Sequence, residues 1–252
     1  LVLDANRRRV IPGVTDSHTH MISGGFQLVQ LNLRDVRGRD EFVKAVEAAA
    51  KGKKKGAWVL GGRWSVESWK SPEPPRATWL DPVTGEMPVF LSRMDGHGAL
   101  VNSAALKLAG IDKSGPADPV GGEIERDPTT REPTGILKES AMYLVRKLIP
   151  EPSAKERYEA LLRAMRHANS LGVTSVHDMS QLADLDAFKQ AQAKGELTVR
   201  ITSYLNVDDW SKYAGQIAET LLGMDGKLLY LAGFKGFMDG SMGSPNAYMF
   251  EP

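Results

Sequence analysis

The chain has 252 residues and no cysteine. That excludes disulfides, thiolate metal ligands and a cysteine nucleophile, and leaves the compartment undecided on that ground. No apolar run approaches the length of a membrane span, so no membrane partner is expected. Net charge is also missing. Lys+Arg 32 against Asp+Glu 31 leaves +1 at pH 7, which gives no reason to expect nucleic acid or another polyanion as partner. The one basic cluster, "KGKKKG" over residues 51–56, follows a helical pattern, where cations suit the C-terminal end of the helix dipole. Aromatics make up 7% and histidines number five. No repeat is evident.

Against that scarcity, two of the five histidines stand two residues apart, in "TDSHTH" over residues 15–20, directly after the apolar "VIPGV". Side chains at i and i+2 of a strand point to one side. His18 and His20 would therefore offer two imidazoles to one point, an arrangement suited to a divalent metal. Neutral imidazole accommodates Zn, Fe, Ni or Mn, with Zn the expected ion. Asp16 lies on the same strand face and is read either as an outer partner of an imidazole or as a strand-end turn residue.

The pattern along the chain alternates strands with helices. Strands are predicted at 9–16, 57–64, 88–95, 173–179, 197–205 and 231–240. Helices are predicted at about 40–51, 102–110, 137–149 and 210–223. The best-defined helix starts at Ser153 and Glu156, which form a capping box, and it buries Tyr158, Leu161, Leu162, Met165 and Ala168. Residues 112–134, rich in Pro, Gly and charge, read as a long excursion or hairpin of the kind that often serves as a lid. Such alternation predicts an α/β fold with a parallel sheet. The strands number fewer than the eight of a (β/α)8 barrel.

Five segments together resemble one family. "VIPGVTDSHTH", "RMDGHGALVNSAALKLAGI" (93–111), "TGILKESAM" (134–142), "GVTSVHDM" (172–179) and "FKGFMDGSMGS" (234–244) look like successive blocks of the amidohydrolase superfamily, in its family 3 branch of N-substituted formamide deformylase-like, metal-dependent hydrolases. The resemblance implies a TIM-like barrel with a small accessory β-sandwich. The chain looks like the N-terminal half of such a protein. Residues 1–8 are read as a sandwich remnant or linker, and 9–252 as an incomplete barrel domain with most of the sandwich missing.

The resemblance also implies roles. His18 and His20 are the metal ligands, for one or two ions. Lys235, in the apolar run around Phe234 and Phe237, would suffer desolvation that favours its neutral, nucleophilic amine. That amine can take up CO2 as a carbamate, a metal bridge the superfamily often uses. An ion pair with Asp239 or a snorkelling stem is the plainer alternative. Glu139 is the competing carboxylate ligand. His177, at a strand end, and Asp239 are catalytic candidates. His97, Trp64 and Asn102 are candidates for substrate contact, with turn, packing and helix-cap roles as their ordinary alternatives. His167 is read as solvated and idle.

The expected reaction is metal-assisted hydrolysis of a small-molecule amide, N-formyl or N-acyl C–N bond. A phosphoesterase that also begins Asp-x-His-x-His is a rival, as is a non-catalytic remnant that needs a C-terminal half or a homo-oligomer partner. The expected compartment is the cytoplasm. A leader before Leu1 stays open, because the chain starts in mid-pattern without methionine.

Overall fold

A computed structural model describes residues 4–54, 56–213, 228–236 and 238. The chain divides into two compact units, residues 1–28 with 152–252, and residues 29–151. The first unit carries β1 (Val14–Thr19), α1 (Met21–Gln27), α6 (Ala154–Ser170), β8 (Val173–Ser180), α7 (Leu182–Ala193), β9 (Arg200–Asn206), α8 (Trp210–Tyr213) and β10 (Leu229–Lys235). The second carries β2 (Leu31–Asn32), α2 (Arg39–Ala50), β3 (Val59–Trp64), α3 (Ala77–Thr84), β4 (Val89–Arg93), β5 (Gly98–Val101), α4 (Ser103–Leu108), β6 (Gly122–Arg126), β7 (Pro133–Glu139) and α5 (Met142–Arg146).

In the first unit β1, β8, β9 and β10 form one sheet in that order, every pair parallel. One face is apolar at alternate positions. Val176, Ile201, Leu205 and Leu229 pack there with Leu161 and Met165 of α6 and Phe188 of α7, as a period of two against a period of 3.6 requires. Of the stripe predicted for α6, Leu161 and Met165 are buried while Tyr158, Leu162 and Ala168 pack partly buried beside them, and Ala160 and Ala164 complete the buried face. The capping box is formed: the Ser153 hydroxyl accepts from the Glu156 amide while the Glu156 carboxylate accepts from the Ser153 amide. The Ser153 hydroxyl also donates to the Glu156 carboxylate at 2.6 Å, and this bond first, with the Ser153 amide bond second, holds the Glu156 carboxyl below its ordinary value. A lowered acid stabilises the fold above its unfolded pKa and loses that contribution as pH falls through the folded value. Ser153→Ala is therefore expected to cost about 1 kcal/mol at neutral pH, with the deficit shrinking in acid; urea titrations at both pH values check this.

Helix α1 lies against α6 with almost no clearance. A Cβ on Gly25 would stand 1.9 Å from the Ala160 carbonyl oxygen, so only glycine admits the contact. Gly25→Ala must push two backbones apart and is expected to destabilise by about 1–3 kcal/mol or more, readable as a lowered Tm.

The second unit holds a six-stranded sheet in the order β2-β3-β4-β5-β7-β6. Only β2, β3 and β4 are parallel; β5, β7 and β6 continue it antiparallel. The purely parallel expectation is corrected here. "GALV" (98–101), which lies outside the predicted strands, is a fully buried strand. Residues 137–139, read as the start of a helix, belong to β7, and α5 begins only at Met142. Pairing on both sides of β7 buries Thr134–Leu137, a long-range gain that outweighs local helix preference. The excursion resolves into a hairpin. β6 pairs with β7, and the Asp127 carboxylate accepts from the Thr129 and Thr130 amides at 3.0 Å in the turn between them. No described helix is long and apolar enough to cross a membrane.

Candidate metal centre

β1 ends at Thr19, and His20 occupies the N-cap position of α1. The two histidine rings stand with centroids 5.7 Å apart and planes at 70°, both in exposed residues. The Nδ1 of His20 lies 3.0 Å from the Met179 carbonyl oxygen in β8. A carbonyl can only accept, so Nδ1 is the protonated nitrogen of this contact, and in the neutral ring Nε2 then keeps its lone pair. This is the orientation in which a ligating imidazole is ordinarily held from behind. Asp16 takes the turn role: its carboxylate accepts the backbone N–H of His18 at 3.0 Å.

Register and alternation sort the neighbours. Thr19 pairs with Asp178, and Asp178 with Ser203. Val176, Asp178 and Ser180 are buried on the helix-packed face of the sheet, while His177 and Met179 turn to the other face. His177 is half-buried, its ring 5.7 Å from that of Tyr204 and tilted by 39°. Phe234, paired with Leu205, packs toward the helices, so Lys235, paired with Asn206, turns to the His177 face at the C-terminal end of β10. Lys235 is half-buried. Asp239 and the whole of "DGSMGS" (239–244) lie outside the described residues, as does most of the predicted 210–223 helix.

Behind this face sits a residue that the sequence reading passed over. Asp178 is 1% exposed and accepts the Met21 amide at 2.5 Å. The Ser180 hydroxyl donates to its other oxygen, and Ser203 donates to Ser180 at 2.8 Å. Burial pushes the Asp178 carboxyl up, and the bonds from Met21 and Ser180 oppose the rise. A signal was available, since a carboxylate at the helix-facing position of "VHDMS" breaks the apolar alternation.

The other candidates belong to the second unit. His97 Nδ1 meets Glu139 at 3.0 and 3.2 Å. Glu139 closes β7 with φ of 49°, a left-handed conformation that costs a non-glycine residue about 1–2 kcal/mol. Trp64 is 4% exposed within an apolar core, and its indole N–H donates to the Leu91 carbonyl at 2.9 Å, so the packing alternative describes it rather than substrate contact. Asn102 is fully buried. Its oxygen accepts from the Ala105 and Val89 amides, and its nitrogen donates to Thr84 Oγ1 and the Met87 carbonyl. That uses both donors and both acceptor sites of the amide, which leaves a helix-cap residue with nothing to offer a substrate. His167 is exposed on α6.

Among the described residues, no cluster of three or more His, Asp or Glu is gathered to hold a metal ion. The chemistry of the His18–His20 pair nonetheless fits a borderline divalent cation: it would offer two imidazole nitrogens, one ring being held at Nδ1 by a backbone carbonyl.

A family model described as the amidohydrolase family matches residues 1–252. The chain belongs to this family. Among curated relatives of this amidohydrolase chain, Protein LONG AFTER FAR-RED 3 of Arabidopsis thaliana is 41% identical over 96% of the chain and 43% of its own length. The N-substituted formamide deformylase of Arthrobacter pascens is 30% identical over 78% of the chain and 37% of its own length. A crystal structure of an uncharacterized metal-dependent hydrolase from Pyrococcus horikoshii superposes with a TM-score of 0.68 at 27% identity, covering 92% of this chain and 44% of that one. The amidohydrolase chain thus spans under half the length of these relatives and shares the mixed α/β, partial-barrel fold of the metal-dependent hydrolases.

Proposed function

We propose that this amidohydrolase chain contributes the first metal ligands, His18 and His20, to a hydrolase that cleaves a small-molecule C–N bond, an amide of the N-formyl or N-acyl kind. The observation that carries the reading is the His20 Nδ1–H bond to the Met179 carbonyl, which leaves Nε2 available beside the His18 ring. The name of the formamide deformylase relative supports the bond class. When bound, a divalent cation, with Zn favoured, supplies Lewis-acid polarisation of a carbonyl and water acidified toward neutral pH.

The chain's own residues do the rest. His18 and His20 hold the ion. Lys235, on the same sheet face as His177, is the candidate for CO2 uptake: its neutral Nζ forms the N–C bond, one proton leaves, and the product is an anionic carbamate ligand. His177, with Tyr204 against its ring, is the candidate for a hydrogen bond to the substrate. Asp239 is a second candidate for proton handling. Two imidazoles fall short of the three protein ligands typical of a hydrolytic site, so the reading includes ligands from outside the described residues, in the same polypeptide or in a second copy.

Paired substrates test the reading. With Zn, Mn or Co supplied, release of amine from an N-formyl or N-acyl amide, with no phosphate released from phosphomonoesters, is the expected result. Phosphate release without amine would overturn it in favour of the phosphoesterase rival.

A further inference from the structure

We infer that Asp178 is a positioning residue: through the Met21 amide it fixes the turn that carries His20, and so keeps that imidazole presented for ligation. The inference rests on the reading of His18 and His20 as ligands and names what holds them.

Two consecutive residues of β8 grip two consecutive residues of the β1–α1 junction. The Asp178 carboxylate accepts the Met21 N–H, and the Met179 carbonyl accepts the His20 Nδ1–H. Met21 is the first residue of α1, so its amide is one of the donors a helix leaves unpaired. His20, at the N-cap, makes no side-chain cap bond of its own. Asp178 supplies the missing acceptor from another strand. Packing alone gives no reason for a carboxylate there. The position is buried on the helix-facing side of the sheet, where an unpaired charge would be costly. The carboxylate is tolerated because its second oxygen is also engaged, by the Ser180 hydroxyl, which in turn accepts from Ser203 on β9. The chain Ser203–Ser180–Asp178–Met21 therefore fixes the carboxylate before it fixes the turn. With the Met21 anchor lost, the backbone at residue 20 can rotate, the Met179 bond loosens, and the proton of His20 is free to move to Nε2, the atom needed for ligation.

Two readouts test this in the full chain. Long-range 1H–15N NMR on the metal-free protein reads the His20 tautomer. The wild type is expected to show Nδ1–H alone, Asp178→Ala a mixture of the two tautomers, and Asp178→Asn, which keeps an acceptor for Met21, a return toward the wild-type pattern. Cobalt(II) titration reads affinity, with Kd expected to rise roughly 10–100-fold in Asp178→Ala and by less in Ser180→Ala. A purely structural role would lower Tm while leaving tautomer and Kd unchanged; that result, in a folded Asp178→Ala protein, overturns the inference. Should Asp178→Ala fail to fold, Ser180→Ala decides by the same two readouts, and an unchanged tautomer and Kd in that variant overturn the inference. The NMR readout needs no metal. Wild-type protein that binds no cobalt, beside a tautomer change in Asp178→Ala, defeats the metal-ligand reading and leaves the positioning role standing.

Discussion

Arg157→Ala is expected to destabilise the chain by about 3–5 kcal/mol, the range found when one partner of a buried ion pair is removed. Arg157 on α6 and Asp184 on α7 meet at 3.0 Å, with side chains only 10% and 11% exposed. Asp184 also accepts the Gln181 amide at 3.0 Å and so caps α7. Its carboxyl stands above its ordinary value because of burial, and the Gln181 amide and Arg157 pull it back down. Removing Arg157 lets it rise further. A group whose folded pKa is raised contributes stability that is present below its unfolded pKa and lost as pH rises through the folded value. The variant's deficit should therefore be largest at neutral or alkaline pH and shrink as acid protonates Asp184. Urea unfolding at pH 5 and pH 8 checks both size and sign. Replacing both partners with apolar residues of similar volume should recover much of the loss, because no charge is then left buried alone.

The second large effect concerns chemistry. Replacing His18 and His20 together by alanine is expected to abolish metal-dependent amide hydrolysis, a loss well beyond the roughly 10–100-fold that follows removal of an outer-shell partner. Both side chains are exposed, so the folded state should be little affected. Unchanged thermal unfolding of the metal-free double variant, beside lost turnover, would separate a ligand role from a structural one. Single variants should fall between wild type and the double variant in metal affinity.

Local signals carried well from sequence to structure. The Ser153–Glu156 capping box and the Asn102 cap each depend on residues within a few positions and form as read, and the α6 stripe is buried at Leu161 and Met165. The His18–His20 pair was legible for the same reason. What escaped notice was set by distant partners. β5 has only four residues, flanked by the glycine-rich "DGHG", and exists because β4 and β7 pair with it on either side. β7 resembled a helix start because its apolar run is short enough to fit either period. Arg157 and Asp184 lie 27 residues apart, and nothing local marks them as a pair. Asp178 is a mixed case: the break it makes in the apolar alternation of β8 is local, but its partner Met21 is 157 residues away. Trp64 and Asn102 invited a functional reading by residue type, and both side chains find all their polar partners inside the protein.

X-ray absorption at the metal edge of protein loaded with one equivalent of zinc examines the ligand pair directly. The expected spectrum contains outer-shell scattering from at least two imidazoles at a Zn–N distance of about 2.0–2.1 Å, and that scattering is lost in the His18→Ala/His20→Ala protein. Zinc that fails to bind, or a spectrum with no imidazole contribution that the double substitution removes, would contradict the account.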